Sequence, residues 1–162
     1  MMNTPSSSEA TGQWRGRRER RVPPGADRNT PDSEILLFAA DLPTVINWPG
    51  RYRLAEDATI VSAGEPAISI EASNVTLNLG GHTLSGTGGG AVAGIAAGRD
   101  CRGPVTIRNG RLRRWGSEGV RLVGVRGCRV EAIVAEGNGG RGIAVDADAA
   151  VVGCTTIANA DR

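Results

Sequence analysis

From Thr44 onward, apolar residues recur at every second position, in runs of only a few residues. Val45 and Ile46 precede Trp48-Pro49-Gly50, after which Tyr52 and Leu54 alternate with Arg51 and Arg53. Successive side chains of a strand point to opposite faces, so this stretch predicts strand, turn, strand. Four segments then repeat one another: AISIE at 67–71, GIAAG at 94–98, GVRLV at 119–123 and GIAVD at 142–146. Their second residues, Ile68, Ile95, Val120 and Ile143, are 27, 25 and 23 residues apart. A second series lies between them, with NVTLNL at 74–79, PVTIRN at 104–109, CRVEAI at 128–133 and AAVVGC at 149–154. Each repeat therefore holds at least two strands separated by Gly, Asn and Asp corners. None contains a helix-length amphipathic run.

A period near 25 built only of strands and corners predicts a coil of parallel strands. Each strand pairs with its equivalent one rung away, about 4.8 Å along the axis. Alternation then sends Ile68, Ile70, Ile95, Ala97, Val120, Leu122, Ile143 and Val145 inward as stacked aliphatic rows, and Ser69, Ala96, Arg121 and Ala144 outward. Leucine-rich, ankyrin and tetratricopeptide repeats all need helices that are missing here, which leaves a β-sandwich meander as the competing arrangement. The expected fold is all-β, a single-stranded right-handed parallel β-helix of about four rungs over 44–162. Composition agrees, with 24 glycines for sharp corners and only three Trp, one Tyr and one Phe to fill a core.

The two ends read differently. Residues 1–33 are rich in Arg, Ser, Pro and Gly with almost no aliphatic side chains, and predict a disordered tail. Over 32–40, Asp32 or Ser33 precedes an apolar run, which predicts a short capping helix within 34–43, with an edge strand as the alternative. At the far end, Asn138 is followed by Gly139-Gly140-Arg141 and a new Gly-Ile rung. Asn159 is followed by Ala160-Asp161-Arg162 where the next Gly-Ile is due, so the sequence predicts a truncated coil with an uncapped last rung able to self-associate.

Charge narrows the partners. All 19 basic residues are Arg; residues 1–33 carry six against four acids, and residues 34–162 carry thirteen of each. A neutral folded region argues against a nucleic-acid-binding face. No apolar run approaches the ~18 residues of a membrane span, and no signal peptide is evident. Cys101, Cys128 and Cys154 lie too far apart in sequence for a C-x-x-C metal site, and predict buried free thiols. No metal site and no cofactor is evident.

The runs INWPGRYRLAED at 46–57, AISIEASNVTLNLGGHTLSG at 67–86 and VTIRNGRL at 105–112 resemble the right-handed parallel β-helix repeat proteins of the pectate-lyase-like superfamily. The shared elements are the Pro-Gly-x-Tyr-x-Leu opening (Pro49, Gly50, Tyr52, Leu54) and the rung from Asn74 to Leu84, with Asn78 where the family often has Asp. The resemblance implies an exported or cell-surface protein that binds or acts on polysaccharide. That superfamily includes lyases, hydrolases, epimerases, adhesins and phage tail proteins, and fold alone does not choose among them. The paired Asp with Gly-His-Gly of its hydrolases and the Asp-Pro-His of its epimerases are absent, and Glu71, Asp100, Glu131 and Asp146 occupy different strand positions. Remaining readings are a lyase or epimerase whose catalytic rungs lie outside this chain, and a non-catalytic structural or adhesin-like module.

Several polar residues have structural roles open to them. His82, the only histidine, sits in a corner motif that predicts a structural hydrogen bond, and Asn109, Asn138 and Asn159 suit corners because Asn tolerates the left-handed conformation. The candidate binding patch is Arg108, Arg111 and Arg113, which flank an inward Leu112, together with Trp115. Arginine forks match carboxylates and an exposed indole can stack on a sugar, so the expected partner is an acidic polysaccharide. A solvated face with Trp115 packed over the coil is the competing reading.

Overall fold

Residues that alternate in and out over two to nine positions pair with their equivalents one turn away, and the chain winds as a parallel β-solenoid of about 5 turns. This is a computed structural model, and it describes residues 34–61 and 64–160. In chain order the strands are β1 (Ile35–Leu37), β2 (Thr44–Ile46), β3 (Gly50–Leu54), β4 (Ala58–Thr59), β5 (Ile68–Ile70), β6 (Val75–Asn78) and β7 (Thr83–Ser85). They continue as β8 (Ile95–Ala97), β9 (Val105–Arg113), β10 (Val120–Leu122), β11 (Arg129–Glu136), β12 (Ile143–Val145), β13 (Ala150–Val152) and β14 (Thr155–Ile157). One sheet stacks β2, β5, β8, β10 and β12; the other runs β1, β3, β6, β9, β11, β13. The strands β4, β7 and β14 extend the second sheet past a bend, pairing beside the far halves of the long strands β9 and β11.

The register is the one the repeats predict. Ile68, Ile95, Val120 and Ile143 stand in one row, and Tyr52, Leu77, Ile107, Val130 and Val151 in another. The interior is a continuous aliphatic core, in which Ile68, Ile95, Val120, Leu77, Ile107 and Leu112 are fully buried. Tyr52 is its one phenol. Burial pushes its pKa up to about 12, and its hydroxyl donates to the Trp48 carbonyl at 2.8 Å, tying down the Trp48-Pro49-Gly50 turn.

Two expectations change. The helical turn expected over 32–40 is instead strand β1, in register with β3 from Ile35↔Tyr52 to Leu37↔Leu54. Period two wins there because Leu37 enters the core while Leu36 faces out, and the Leu37 carbonyl accepts from the Ala55 amide at 2.9 Å. Only Ala39–Asp41 makes a single 3-10 turn, and there is no α-helix among the described residues. The turns also carry a third strand segment beyond the two series legible in the sequence. The tail predicted over 1–33 lies outside the described residues.

Stacking should grade the cost of identical substitutions. Ile95 is covered on both sides, by Ile68 and Val120, whereas Ile143 pairs on one side and is only half-buried. Ile95→Ala is expected to cost about 2–5 kcal/mol and Ile143→Ala distinctly less. Equilibrium urea unfolding measures both, and equal losses would contradict the stacking order.

Candidate functional site

The long sheet turns its corner at the same place in successive turns. Asn109 and Ala132 hold left-handed φ values of 64° and 53°, and Gly153 one of 60°. These three follow Arg108, Glu131 and Val152, which stand in one row. The six residues line a shallow hollow of about 400 Å³. Here the asparagine reading holds: Asn109 takes the conformation that other side chains resist.

Around this bend the strands of the long sheet carry six arginines (51, 53, 108, 111, 113 and 129) against two glutamates, while the other sheet's strands carry Arg121 alone. Arg108, Arg111 and Arg113 all face outward around fully buried Leu112, as expected. They are not bare. Glu136, one turn on, lies 3.3 Å from Arg111 and 3.5 Å from Arg113. Glu131 lies 2.7 Å from Arg129 and 3.9 Å from Arg108. Each glutamate thus bridges two guanidiniums, leaving one positive charge in excess per trio. With Arg side chains 41–49% exposed, these pairs are weak and exchangeable.

Trp115 does not join them. It is 2% exposed, its Nε1 donates to the Leu84 carbonyl at 3.1 Å, and its ring lies against the backbone of Gly86 and Gly94. A Cβ at either glycine would come within 2.8 Å of the indole. The expected stacking ring is therefore a core side chain, and the packed reading is the correct one. Sequence spacing gave the signal, since Trp115 precedes Asn138 and Asn159 by 23 and 44 residues, at the same corner of later turns. There the polar groups form a ladder. Asn138 Oδ1 accepts from the Trp115 amide at 3.0 Å, and Asn138 Nδ2 donates to Asn159 Oδ1 at 2.9 Å. Asn159 Nδ2 in turn donates to the Ala135 carbonyl at 3.0 Å.

Other polar groups are structural too. Asn78 is 5% exposed; its Oδ1 accepts from the Gly80 amide at 2.7 Å and from Asn109 Nδ2 at 3.4 Å. A neutral amide makes these bonds without burying the charge an Asp would bring. His82 Nδ1 lies 3.2 Å from Asp57 Oδ1, which also accepts from the Thr83 amide at 2.9 Å. That amide, followed by His82, holds the Asp57 carboxyl below the ordinary carboxylate range. Cys101 and Cys128 are buried free thiols, as expected, and Cys154 is half-buried; burial pushes Cys128 up to about 11.

A second hollow, of about 540 Å³, was missed at the sequence level. It is lined by Val45, Asn47, Glu71, Gly98, Arg99 and Asp100, so Glu71 and Asp100, read as scattered, meet on neighbouring turns. The Glu71 carboxylate lies over Gly98, where any side chain would collide with it, and accepts from the Asp100 amide at 3.4 Å. It braces a corner. No group of three His, Cys, Asp or Glu side chains able to hold a metal occurs among the described residues, and no helix of the described residues is long and apolar enough to cross a membrane.

No family model, curated protein or solved structure matches the chain. Its architecture defines its class, the parallel β-solenoids.

Two outcomes test this assignment of roles. Asn138→Ala removes the acceptor of the buried Trp115 amide and is expected to cost about 1–3 kcal/mol, and Trp115→Ala about 3–5 kcal/mol, both read by thermal or urea unfolding. A Trp115→Ala protein as stable as wild type would return the indole to the surface. For Asp57, the lowered folded pKa means its contribution is present above the ordinary carboxylate range and lost as pH falls through the folded value. The stability difference between wild type and Asp57→Ala should therefore shrink below about pH 4, and a difference independent of pH would contradict the Asp57–Thr83 bond.

Proposed function

We propose that this chain is a right-handed β-helix module, related to the pectate-lyase-like proteins, that binds acidic polysaccharide along the arginine-bearing outer face of its long sheet without itself catalysing a reaction. The observation that carries this reading is the placement of Arg108, Arg111 and Arg113 outward on one strand, with Arg129 on the next turn and Arg51 and Arg53 two turns before β9. Arg53 and Arg108 share a row with Asn78 between them, so an extended polyanion meets guanidiniums along β9 and again two turns, about 10 Å, away. The contacts are carboxylate–guanidinium pairs, and Trp115, being internal, adds no sugar stacking to them.

Glu131 and Glu136 already occupy the arginines, so a glycan carboxylate must displace them. Each exposed pair is worth about 0.2–1 kcal/mol, so binding needs several contacts and weakens with salt. Titration with polygalacturonate and alginate beside a neutral glucan, at low and high salt, measures this. Arg111→Ala is expected to weaken acidic-glycan binding and Glu136→Gln to strengthen it, because the latter frees Arg111 and Arg113. Equal binding of acidic and neutral glycans, or no response to either substitution, would contradict the proposal.

A further inference from the structure

The outer face of the long sheet also carries a pattern that runs across its strands. Pairing sets Arg51 on β3 opposite Thr76 on β6, Thr76 opposite Thr106 on β9, and Thr106 opposite Arg129 on β11. Four successive turns thus contribute one row, with a guanidinium at each end and two hydroxyls between. At about 4.8 Å per turn, the two arginine positions stand about 14 Å apart along the coil axis. Tyr52, Leu77, Ile107 and Val130, which follow the four row residues, are fully buried, so alternation holds the row outward. Both arginines are exposed and both threonines half-buried. Among the described residues no carboxylate pairs with Arg51, and no hydrogen bond occupies the hydroxyl of Thr76 or Thr106. Arg129 shares the Glu131 carboxylate, 2.7 Å away, with Arg108.

We infer that this row takes a four-sugar stretch of an acidic polysaccharide laid along the coil axis, one sugar to each turn, with carboxylates required on the first and fourth sugars. The inference rests on the polysaccharide reading above and fixes the ligand's direction, minimum length and charge spacing. The step from one turn to the next is nearly the length of one sugar unit in an extended glycan, so chain and row stay in step over four positions. The outer carboxylates then meet Arg51 and Arg129. The ring hydroxyls of the inner sugars meet Thr76 and Thr106, whose own hydroxyls can both donate and accept. No residue of β6 is charged, so the second sugar needs no carboxylate. Arg108, two positions along β9 from Thr106, is within the same strand as the third. A chain laid along a single strand meets no such sequence, because Arg51 and Arg129 lie on different turns.

Competition of oligogalacturonates of two to six units against fluorescently labelled polygalacturonate, at low salt, provides the test. A three-unit chain reaches Arg51 or Arg129 and a four-unit chain reaches both. Affinity is therefore expected to step up between three and four units by about 1.4- to 5-fold, the value of one further exposed guanidinium–carboxylate contact. Arg51→Ala and Arg129→Ala should each abolish that step, and the double variant should lose no more of it than either single one, because the step needs both ends. Arg121→Ala, on the other sheet, should leave it intact. Melting curves confirm that the variants are folded. Polygalacturonate that does not bind at all would overturn the inference together with the polysaccharide reading. Affinity that rises evenly with length, or a step untouched by Arg51→Ala, would overturn the four-turn row and leave polysaccharide binding standing.

Discussion

In a coil of parallel strands, each backbone segment hydrogen-bonds to its equivalent one turn away, so a side chain's environment is decided by the row in which it stands. The row of Tyr52, Leu77, Ile107 and Val130 is interior at every turn and filled accordingly. The row of Arg108 and Glu131 is exterior, and there charges of opposite sign settle one turn apart. The same constraint explains the corners. In three successive turns a left-handed residue follows this row, Asn109 after Arg108, Ala132 after Glu131 and Gly153 after Val152, while the turn before bends at Gly80 and Gly81 instead. Ala132 takes a steric cost there that Asn and Gly avoid.

Burying polar groups is the main hazard of such a coil, because each corner turns amides inward. The asparagine ladder deals with it. Asn138 and Asn159 pass hydrogen bonds from turn to turn, each satisfying an amide of the neighbouring turn and one another. Trp115 occupies the ladder position one turn earlier and solves the same problem differently, filling space with its ring and spending its one N–H on Leu84. Glycines 86 and 94 give way to it. The outward arginines and the ladder thus have opposite settings, the first exposed to solvent, the second turned inward.

How much of this was legible in the sequence follows from what a period can report. Alternation within strands and spacing between them identify which residues share a row, so Ile68, Ile95, Val120 and Ile143 were placed correctly, as were the outward arginines on either side of Leu112. Contacts across a row depend on which residue falls one turn away, and Glu136 comes opposite Arg113 only once the 23-residue offset of β11 from β9 is known. Trp115, grouped in the sequence with Arg108, Arg111 and Arg113 as a binding feature, takes the packed alternative, because a position in one dimension does not report burial. In three dimensions the corner folds it under two glycines. The helix expected near 32–40 failed for a related reason: its capping residues and apolar run satisfy a helix locally, but the free edge of β3 offers that run a partner. Glu71 and Asp100, 29 residues apart in sequence, meet because a turn separates them.

Turn-on-turn stacking is the claim from which the outward arginines and the ladder both follow, and native-state hydrogen exchange measures it directly. Amides of β9 and β11, which have paired strands on both sides, should open only with global unfolding. Protection should fall through β12, β13 and β14, whose pairing is one-sided, under conditions where the protein is monomeric. Protection that is highest in β13 and β14, or uniform from β5 to β14, would contradict the stacked order described for this solenoid.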